Sequence, residues 1–90
     1  MDIFFKPSFI KDFKKLPKGT KADVRKICSE DFLIAKNLTE IRQIYIKLIR
    51  GFKNYFRIRT GDYRIGFKKE DQSVVFMRVK HRKDIYKIFP

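Results

Sequence analysis

Two alternating runs meet at a turn in the sequence Tyr55-Phe56-Arg57-Ile58-Arg59-Thr60-Gly61-Asp62-Tyr63-Arg64-Ile65-Gly66-Phe67. Alternation of apolar and polar residues is typical of half-buried strands, because successive side chains point to opposite faces of a sheet. The pattern predicts a β-hairpin with Thr60-Gly61 as its tight turn. That register would place Arg57 directly opposite Arg64.

The two faces of this hairpin differ in chemistry. The apolar face consists of Phe56, Ile58, Tyr63, Ile65 and Phe67, and the opposite face carries Tyr55, Arg57, Arg59, Asp62 and Arg64. Two arginines directly opposite each other repel, which destabilises a bare sheet. A bound polyanion would offset that repulsion, so we expect this arginine face to bind one.

Weaker patterns surround the hairpin. Residues 2–6 predict a strand that ends at Pro7, and Phe9, Phe13 and Leu16 predict a short amphipathic helix. After the break Pro17-Lys18-Gly19, the apolar positions Val24, Ile27, Cys28 and Phe32 predict a second helix that ends near Asn37. Residues 44–48 predict a strand, and residues 74–80 predict the last long strand. In that last strand, parity favours Val75, Met77 and Val79 in the core and Phe76, Arg78 and Lys80 on the arginine face.

These elements predict an α+β fold in a single domain, residues 1–90. The expected order is an N-terminal strand, a helical hairpin and then a four-stranded, mainly antiparallel, twisted sheet. A short C-terminal turn or helix follows over residues 81–90.

The charge is strongly positive and unevenly distributed. The formal net charge is +13, and residues 42–90 contribute +10 of it, from 14 Lys+Arg and 4 Asp+Glu. A field of one sign attracts phosphate backbones, so a nucleic acid is the expected partner. A solvated surface would explain any one lysine, but not the whole set. Since the sequence has no long apolar run and no signal peptide, we expect no membrane partner and a cytoplasmic location.

Cysteine and histidine each occur once, as Cys28 and His81. One cysteine forms no internal disulfide, and one histidine builds no metal cluster, so we expect a reducing compartment, no metal and no cofactor. Cys28 lies on the apolar stripe of its helix, where a small buried hydrophobe is the expected role.

Arginines at fixed strand positions suit a reacting phosphate, because the planar guanidinium group matches phosphate oxygens bidentately. The candidates are Arg57, Arg59, Arg64 and Arg78, with Arg82 at a strand end. A nuclease without metal would act on RNA, whose 2′-hydroxyl attacks its own phosphate. Tyr55 and Tyr86 are candidates for stacking on bases. His81 is a candidate general acid or base, since histidine titrates near neutrality, although a structural role stays equally open.

Three segments resemble the RelE branch of the RelE/ParE toxin superfamily. They are Tyr55-x-Arg57-Ile58-Arg59, Gly61-Asp62-Tyr63-Arg64-Ile65 and Arg78-Val79-x-His81-Arg82-Lys83-Asp84-Ile85-Tyr86. The resemblance covers nearly the whole chain. It implies a toxin that enters the ribosomal A site and cuts mRNA, and that a cognate acidic antitoxin neutralises in a hetero-oligomer.

The resemblance also implies residue roles. Catalytic roles fall on Arg57, Arg59, Arg64, Arg82, His81 and Tyr86. Apart from the resemblance, the basic and aromatic residues predict RNA contacts from Lys53, Tyr55, Arg78, Lys80 and Lys83. Arg57 and Arg59 stand where the best-studied RelE-type enzymes have lysines. Because a guanidinium group is no ordinary general base, the group that accepts the 2′-hydroxyl proton stays open between His81, Lys53 and a ribosomal group.

Two other functions stay open at this point. A ParE-like inhibitor of DNA gyrase would use the same fold without nuclease chemistry. An RNA-binding protein without catalytic activity would bind and leave its substrate uncut.

Overall fold

The computed structural model describes residues 1–41 and 45–90, and its elements follow the predicted order. They are β1 (Asp2–Phe5), α1 (Pro7–Lys14), α2 (Lys18–Lys26), a π-helical turn (Ile27–Asp31), α3 (Phe32–Ile34), a 3-10 turn (Leu38–Glu40), β2 (Tyr45–Leu48), β3 (Tyr55–Thr60), β4 (Tyr63–Glu70), β5 (Ser73–His81) and α4 (Arg82–Ile88). Ile44, in the strand predicted over residues 44–48, lies outside the described residues. The predicted break at Pro17-Lys18-Gly19 is shorter than expected, because Pro17 caps α2 and Gly19 lies inside it.

One five-stranded sheet in the order β1-β5-β4-β3-β2 organises the chain. The strand β1 pairs in parallel with β5, and the other neighbours pair antiparallel. The helices α1 and α2 contribute Phe9, Val24 and other apolar side chains to the main core on one face of the sheet. The α+β prediction is confirmed, and in the described ranges no helix has the length and apolar character needed to cross a membrane.

The central hairpin has the predicted faces but a different turn. Gly61 and Asp62 form the turn, so Thr60 pairs with Tyr63 and Arg59 pairs with Arg64. Gly61 has a φ of 59°, and tight hairpin turns favour a glycine that tolerates positive φ at this place. The predicted Arg57–Arg64 pairing is therefore wrong by two residues. An even shift leaves every side chain on its predicted face, because the side-chain period of a strand is two.

The last strand departs from strict alternation. Its pairing with β4 passes from Gly66–Arg78 to Phe67–Phe76, so Met77 is an extra residue, a β-bulge. One extra residue reverses the inward and outward positions on one side of the bulge. Val74, Phe76 and Val79 are therefore fully buried in the main core. The prediction is correct for Val79 and wrong for Val75, Phe76 and Met77.

Side chains of α1 cover the edge of β5 beyond the point where β1 ends. Ser8 Oγ donates to the Met77 carbonyl at 2.7 Å, and Asp12 Oδ2 accepts the Val79 N–H at 3.2 Å. Asp12 is only 6% exposed and also accepts from Arg78 Nε at 2.7 Å and Nη2 at 3.1 Å. Burial raises the pKa of Asp12, but the hydrogen bonds from Arg78 and Val79 and the charges of Arg78 and Lys80 outweigh it and leave the pKa below its ordinary value.

The carboxylate of Asp12 is expected to contribute measurably to the stability of the fold. We expect Asp12→Asn to lower the free energy of unfolding by about 2–4 kcal/mol near neutral pH, because the charge of Arg78 loses its partner. The pKa of this carboxyl group is lower in the folded state than in the unfolded state. Such a group stabilises the fold at pH values above its unfolded pKa, and this effect is lost as the pH falls through its folded pKa. The wild-type advantage in urea denaturation should therefore stay constant from about pH 7 to about pH 5 and shrink as the pH falls below about 4. Asp23→Asn, an exposed change on α2, is the matched control, and an advantage of Asp12 that is independent of pH would contradict an ionic origin.

Candidate active site

The arginine face of the sheet forms a pocket with α4. Its volume is about 230 Å³, and it is lined by Tyr45, Lys47, Arg57, Arg59, Arg64 and Tyr86. The strand register builds it, since Tyr45 pairs with Arg59 and Lys47 pairs with Arg57 across β2 and β3. Arg59 in turn pairs with Arg64 across the hairpin. Four cationic side chains therefore converge on one shallow cavity.

Arg57 is held against the C-terminal helix. Its Cζ lies 4.5 Å from the centre of the Tyr86 ring, a cation–π contact. Tyr86 itself is 58% exposed, so its ring stands at the mouth of the pocket. The contact orients the guanidinium group and the ring together.

Arg64 is oriented by the hairpin turn. Its Nη1 donates to the carbonyl oxygens of Gly61 at 2.8 Å and Tyr63 at 2.9 Å. The backbone N–H of Arg82 donates to the Asp62 carbonyl at 2.8 Å, so the same turn also positions the start of α4. Among residues 1–41 and 45–90, no salt bridge involves Arg57, Arg59 or Arg64. The charge of these three arginines is therefore available to an anionic ligand.

A second apolar cluster holds α4 on this face. Ile49, Ile85 and Phe89 are buried together, and Tyr55 and Met77 pack against them. Gly66 makes the close approach of α4 possible, because a Cβ at this position would lie 2.5 Å from Cδ2 of Phe89. The ring of Phe89 thus lies directly on the backbone of β4. This docking sets Tyr86 above the arginines.

Four of the predicted site residues come together in the pocket, namely Arg57, Arg59, Arg64 and Tyr86. Arg78 and Lys80, which were predicted on the same surface, do not line it. The carboxylate of Asp12 binds both, through the two hydrogen bonds of Arg78 and through Lys80 Nζ at 3.5 Å. Arg78 keeps its predicted parity, since its neighbour Val79 is buried as expected, but the carboxylate of Asp12 on α1 holds its guanidinium group away from the pocket. Its predicted contact with RNA stays a prediction.

The remaining predicted residues lie outside the pocket. Tyr55 packs in the second apolar cluster, 5.8 Å from the ring of Phe89. His81 caps α4, because its Nδ1 accepts the Lys83 N–H at 3.2 Å, and its ring meets Tyr63 edge-on at 5.4 Å. Exposed side chains outside the pocket are Lys53, Arg82 and Lys83. Their predicted roles stay predictions.

Sequence reasoning missed Tyr45 and Lys47 as pocket residues. Both occupy the polar positions of an alternating strand, which was a usable signal. The missing step was the pairing of β2 beside β3, which carries Tyr45 and Lys47 onto the arginine face.

Cys28 takes no part in this site. It is 1% exposed in the main core, where burial raises the pKa of its thiol. The prediction of a buried hydrophobe is confirmed.

Comparisons with known proteins show the family of this chain. Residues 3–86 match the family described as ParE toxin of type II toxin-antitoxin system, parDE. Toxin RelE3 of Methanocaldococcus jannaschii is 38% identical over 90 residues, which are 100% of this chain and 100% of that protein. The RelB-RelE antitoxin-toxin complex from Methanococcus jannaschii contains a chain 37% identical, with a TM-score of 0.81, and the match covers 97% of this chain and 99% of that chain. For the toxin-antitoxin complex RelBE2 from Mycobacterium tuberculosis, the identity is 28%, the TM-score 0.68 and the coverage 92% of each chain.

The family match spans nearly the whole chain, and the relative from Methanocaldococcus jannaschii matches from end to end. The arginine pocket and the docked C-terminal helix belong to the same matched region. This chain is therefore a member of the RelE/ParE superfamily, a toxin of a type II toxin-antitoxin system.

Proposed function

We propose that this toxin is an endoribonuclease that cuts mRNA in the ribosomal A site without a metal ion. The observation that carries the proposal is the pocket in which Arg57, Arg59 and Arg64 converge beside Tyr86. In the proposed reaction the 2′-hydroxyl of one nucleotide attacks the next phosphate. The products are a 2′,3′-cyclic phosphate and a free 5′-hydroxyl.

The pocket chemistry fits the charge that develops in this reaction. Negative charge builds up on the phosphate oxygens in the transition state, and oriented guanidinium groups stabilise it. Arg64 is held by two backbone carbonyls and Arg57 by the Tyr86 ring, so both are oriented before the substrate arrives. The exposed ring of Tyr86 offers a stacking surface for a base.

The shape of the pocket supports the dependence on the ribosome. A cavity of about 230 Å³ encloses a phosphate and part of its nucleotide, so the pocket residues do not by themselves fix the nucleotides on either side. Free RNA would therefore be poorly aligned for in-line attack. A ribosome that holds an extended codon supplies the missing alignment, which is worth orders of magnitude in rate.

We also propose a cognate acidic antitoxin as the partner of this chain in a hetero-oligomer. The net charge of +13 favours an acidic, partly disordered segment that wraps the arginine face. The solved complexes from Methanococcus jannaschii and Mycobacterium tuberculosis pair toxins of this kind with antitoxins.

Mapping cleavage on programmed ribosomes tests the function. We expect wild-type protein to cut mRNA within the A-site codon and to leave free RNA nearly intact. An mRNA with 2′-deoxyribose at the nucleotide before the cut should resist cleavage there, because it lacks the attacking hydroxyl. Arg25→Ala, which removes an exposed arginine on α2, should cut normally. Binding to the ribosome without any cut would favour an RNA-binding protein without catalytic activity.

Inhibition of DNA gyrase is the second candidate, because the matched family is described by its ParE toxins. A gyrase inhibitor would cause gyrase-dependent DNA damage that persists after the double change Arg64→Ala and Arg82→Ala. Inhibition of gyrase by binding requires no reaction at a phosphate, whereas the convergence of three arginines beside Tyr86 suits such a reaction. We therefore place the endoribonuclease first.

A further inference from the structure

The proposed reaction needs a group that accepts the proton of the attacking 2′-hydroxyl. Three of the six side chains that line the pocket are arginines and two are tyrosines. A guanidinium group keeps its proton in proteins, so Arg57, Arg59 and Arg64 stabilise charge but do not act as ordinary bases. The sixth side chain is Lys47, and its amine is able to bind and release a proton.

The other titratable candidates are held elsewhere. His81 caps α4 through Nδ1 and meets Tyr63 edge-on. Asp12 lies at the edge of β5, bound to Arg78 and Lys80. Lys53, proposed from sequence as an alternative base, is exposed in the loop before β3 and does not line the pocket. Lys47 thus remains as the base candidate inside the pocket.

The strand register fixes where Lys47 stands. It pairs directly with Arg57, whose guanidinium group lies on the Tyr86 ring, and its neighbour Tyr45 pairs with Arg59. Directly opposed side chains on antiparallel strands start about 5 Å apart and share one face. The amine therefore belongs to the same cluster as the arginines that would bind the phosphate.

We infer that Lys47 is the general base of the cleavage reaction, a role that rests on the proposed endoribonuclease function. The neutral amine of Lys47 takes the proton from the 2′-hydroxyl as the 2′-oxygen bonds to phosphorus. The bond from phosphorus to the 5′-oxygen breaks, and that oxygen takes a proton from water. The hydroxide left from this water then removes the proton that Lys47 gained.

The change Lys47→Arg distinguishes the effect of a proton acceptor from the effect of a positive charge. The arginine keeps a positive charge on the same strand position but does not accept the proton. We expect Lys47→Arg and Lys47→Ala to lower the single-turnover cleavage rate on programmed ribosomes by similar factors of about 100 or more. Ribosome binding by Lys47→Arg should stay near that of wild type. Lys36→Arg, an exposed change outside the pocket, is the matched control.

Two further readouts distinguish a base from a structural residue. The wild-type rate should rise with pH, because a general base acts in its deprotonated form, and both Lys47 variants should lose this rise. A small primary amine added to Lys47→Ala should restore part of the rate, as it replaces the missing proton acceptor. Thermal melting should show both variants folded, because Lys47 is exposed on the edge strand.

Cleavage by Lys47→Arg at the wild-type rate and with the wild-type pH profile would overturn the assignment and leave Lys47 a purely electrostatic role. If the wild-type protein itself does not cut mRNA, both the proposed endoribonuclease function and the assignment of Lys47 as its base are contradicted. The first result leaves the proposed function standing, so the two failures are distinguishable.

Discussion

Arg64→Ala is expected to lower the rate of mRNA cleavage on programmed ribosomes by about 100- to 1,000-fold, the usual loss when one oriented transition-state donor is removed. Arg64 has no salt bridge among the described residues and is aimed by the carbonyls of Gly61 and Tyr63. The loss should appear mainly in the single-turnover rate, because the stabilised charge exists only in the transition state. Primer extension over a time course on stalled ribosomes measures it.

Two variants serve as controls for this result. Arg64→Lys keeps the charge but loses the planar fork, so it should recover only part of the rate. Arg25→Ala removes the same side chain from the helical face, where Arg25 lies over the Phe13 ring, and should cut normally. A rate near that of wild type for Arg64→Ala would show that the pocket does not bind the reacting phosphate.

Gly66→Ala is expected to displace α4 and with it Tyr86. The new Cβ would overlap the Phe89 ring, with Cδ2 at 2.5 Å and Cε2 at 2.6 Å, so the ring has to move. Overpacking of this kind costs about 1–3 kcal/mol of stability. Urea denaturation should show this loss. Cleavage should fall further than stability alone explains, because Tyr86 no longer stands beside Arg57.

The overlap itself is tested by a double-mutant cycle with Phe89→Ala. In that background the ring is absent, and Gly66→Ala should cost much less stability. Gly19→Ala is the matched control, since a Cβ at Gly19 would meet nothing within 4 Å and the residue lies inside α2. An equal cost of Gly66→Ala with and without Phe89 would contradict steric docking as the cause.

Part of the candidate site could be predicted because it depends on local spacing. Alternation alone predicts a shared face for Arg57, Arg59 and Arg64. The structure has this shared face, although its turn is Gly61-Asp62 and not the predicted Thr60-Gly61. Any even shift in register preserves the faces of a strand. Tyr86 was a candidate for base stacking and matched a family motif, but nothing in local spacing shows that α4 folds back over the sheet.

Local sequence could not place the residues whose environment depends on distant segments. Arg78 looked equivalent to Arg64, but the carboxylate of Asp12 on α1 holds it away from the pocket. Lys47 looked like an ordinary polar strand residue until β2 paired with β3.

The sequence by itself determined the α+β order, the apolar and arginine faces of the hairpin and the excess of positive charge, because these follow from periodicity and composition. Only the tertiary structure decided which cations stay unpaired. That outcome depends on which strands become neighbours and on where a distant carboxylate, Asp12 on α1, meets the cations of β5, and both are settled by packing between segments far apart in the chain.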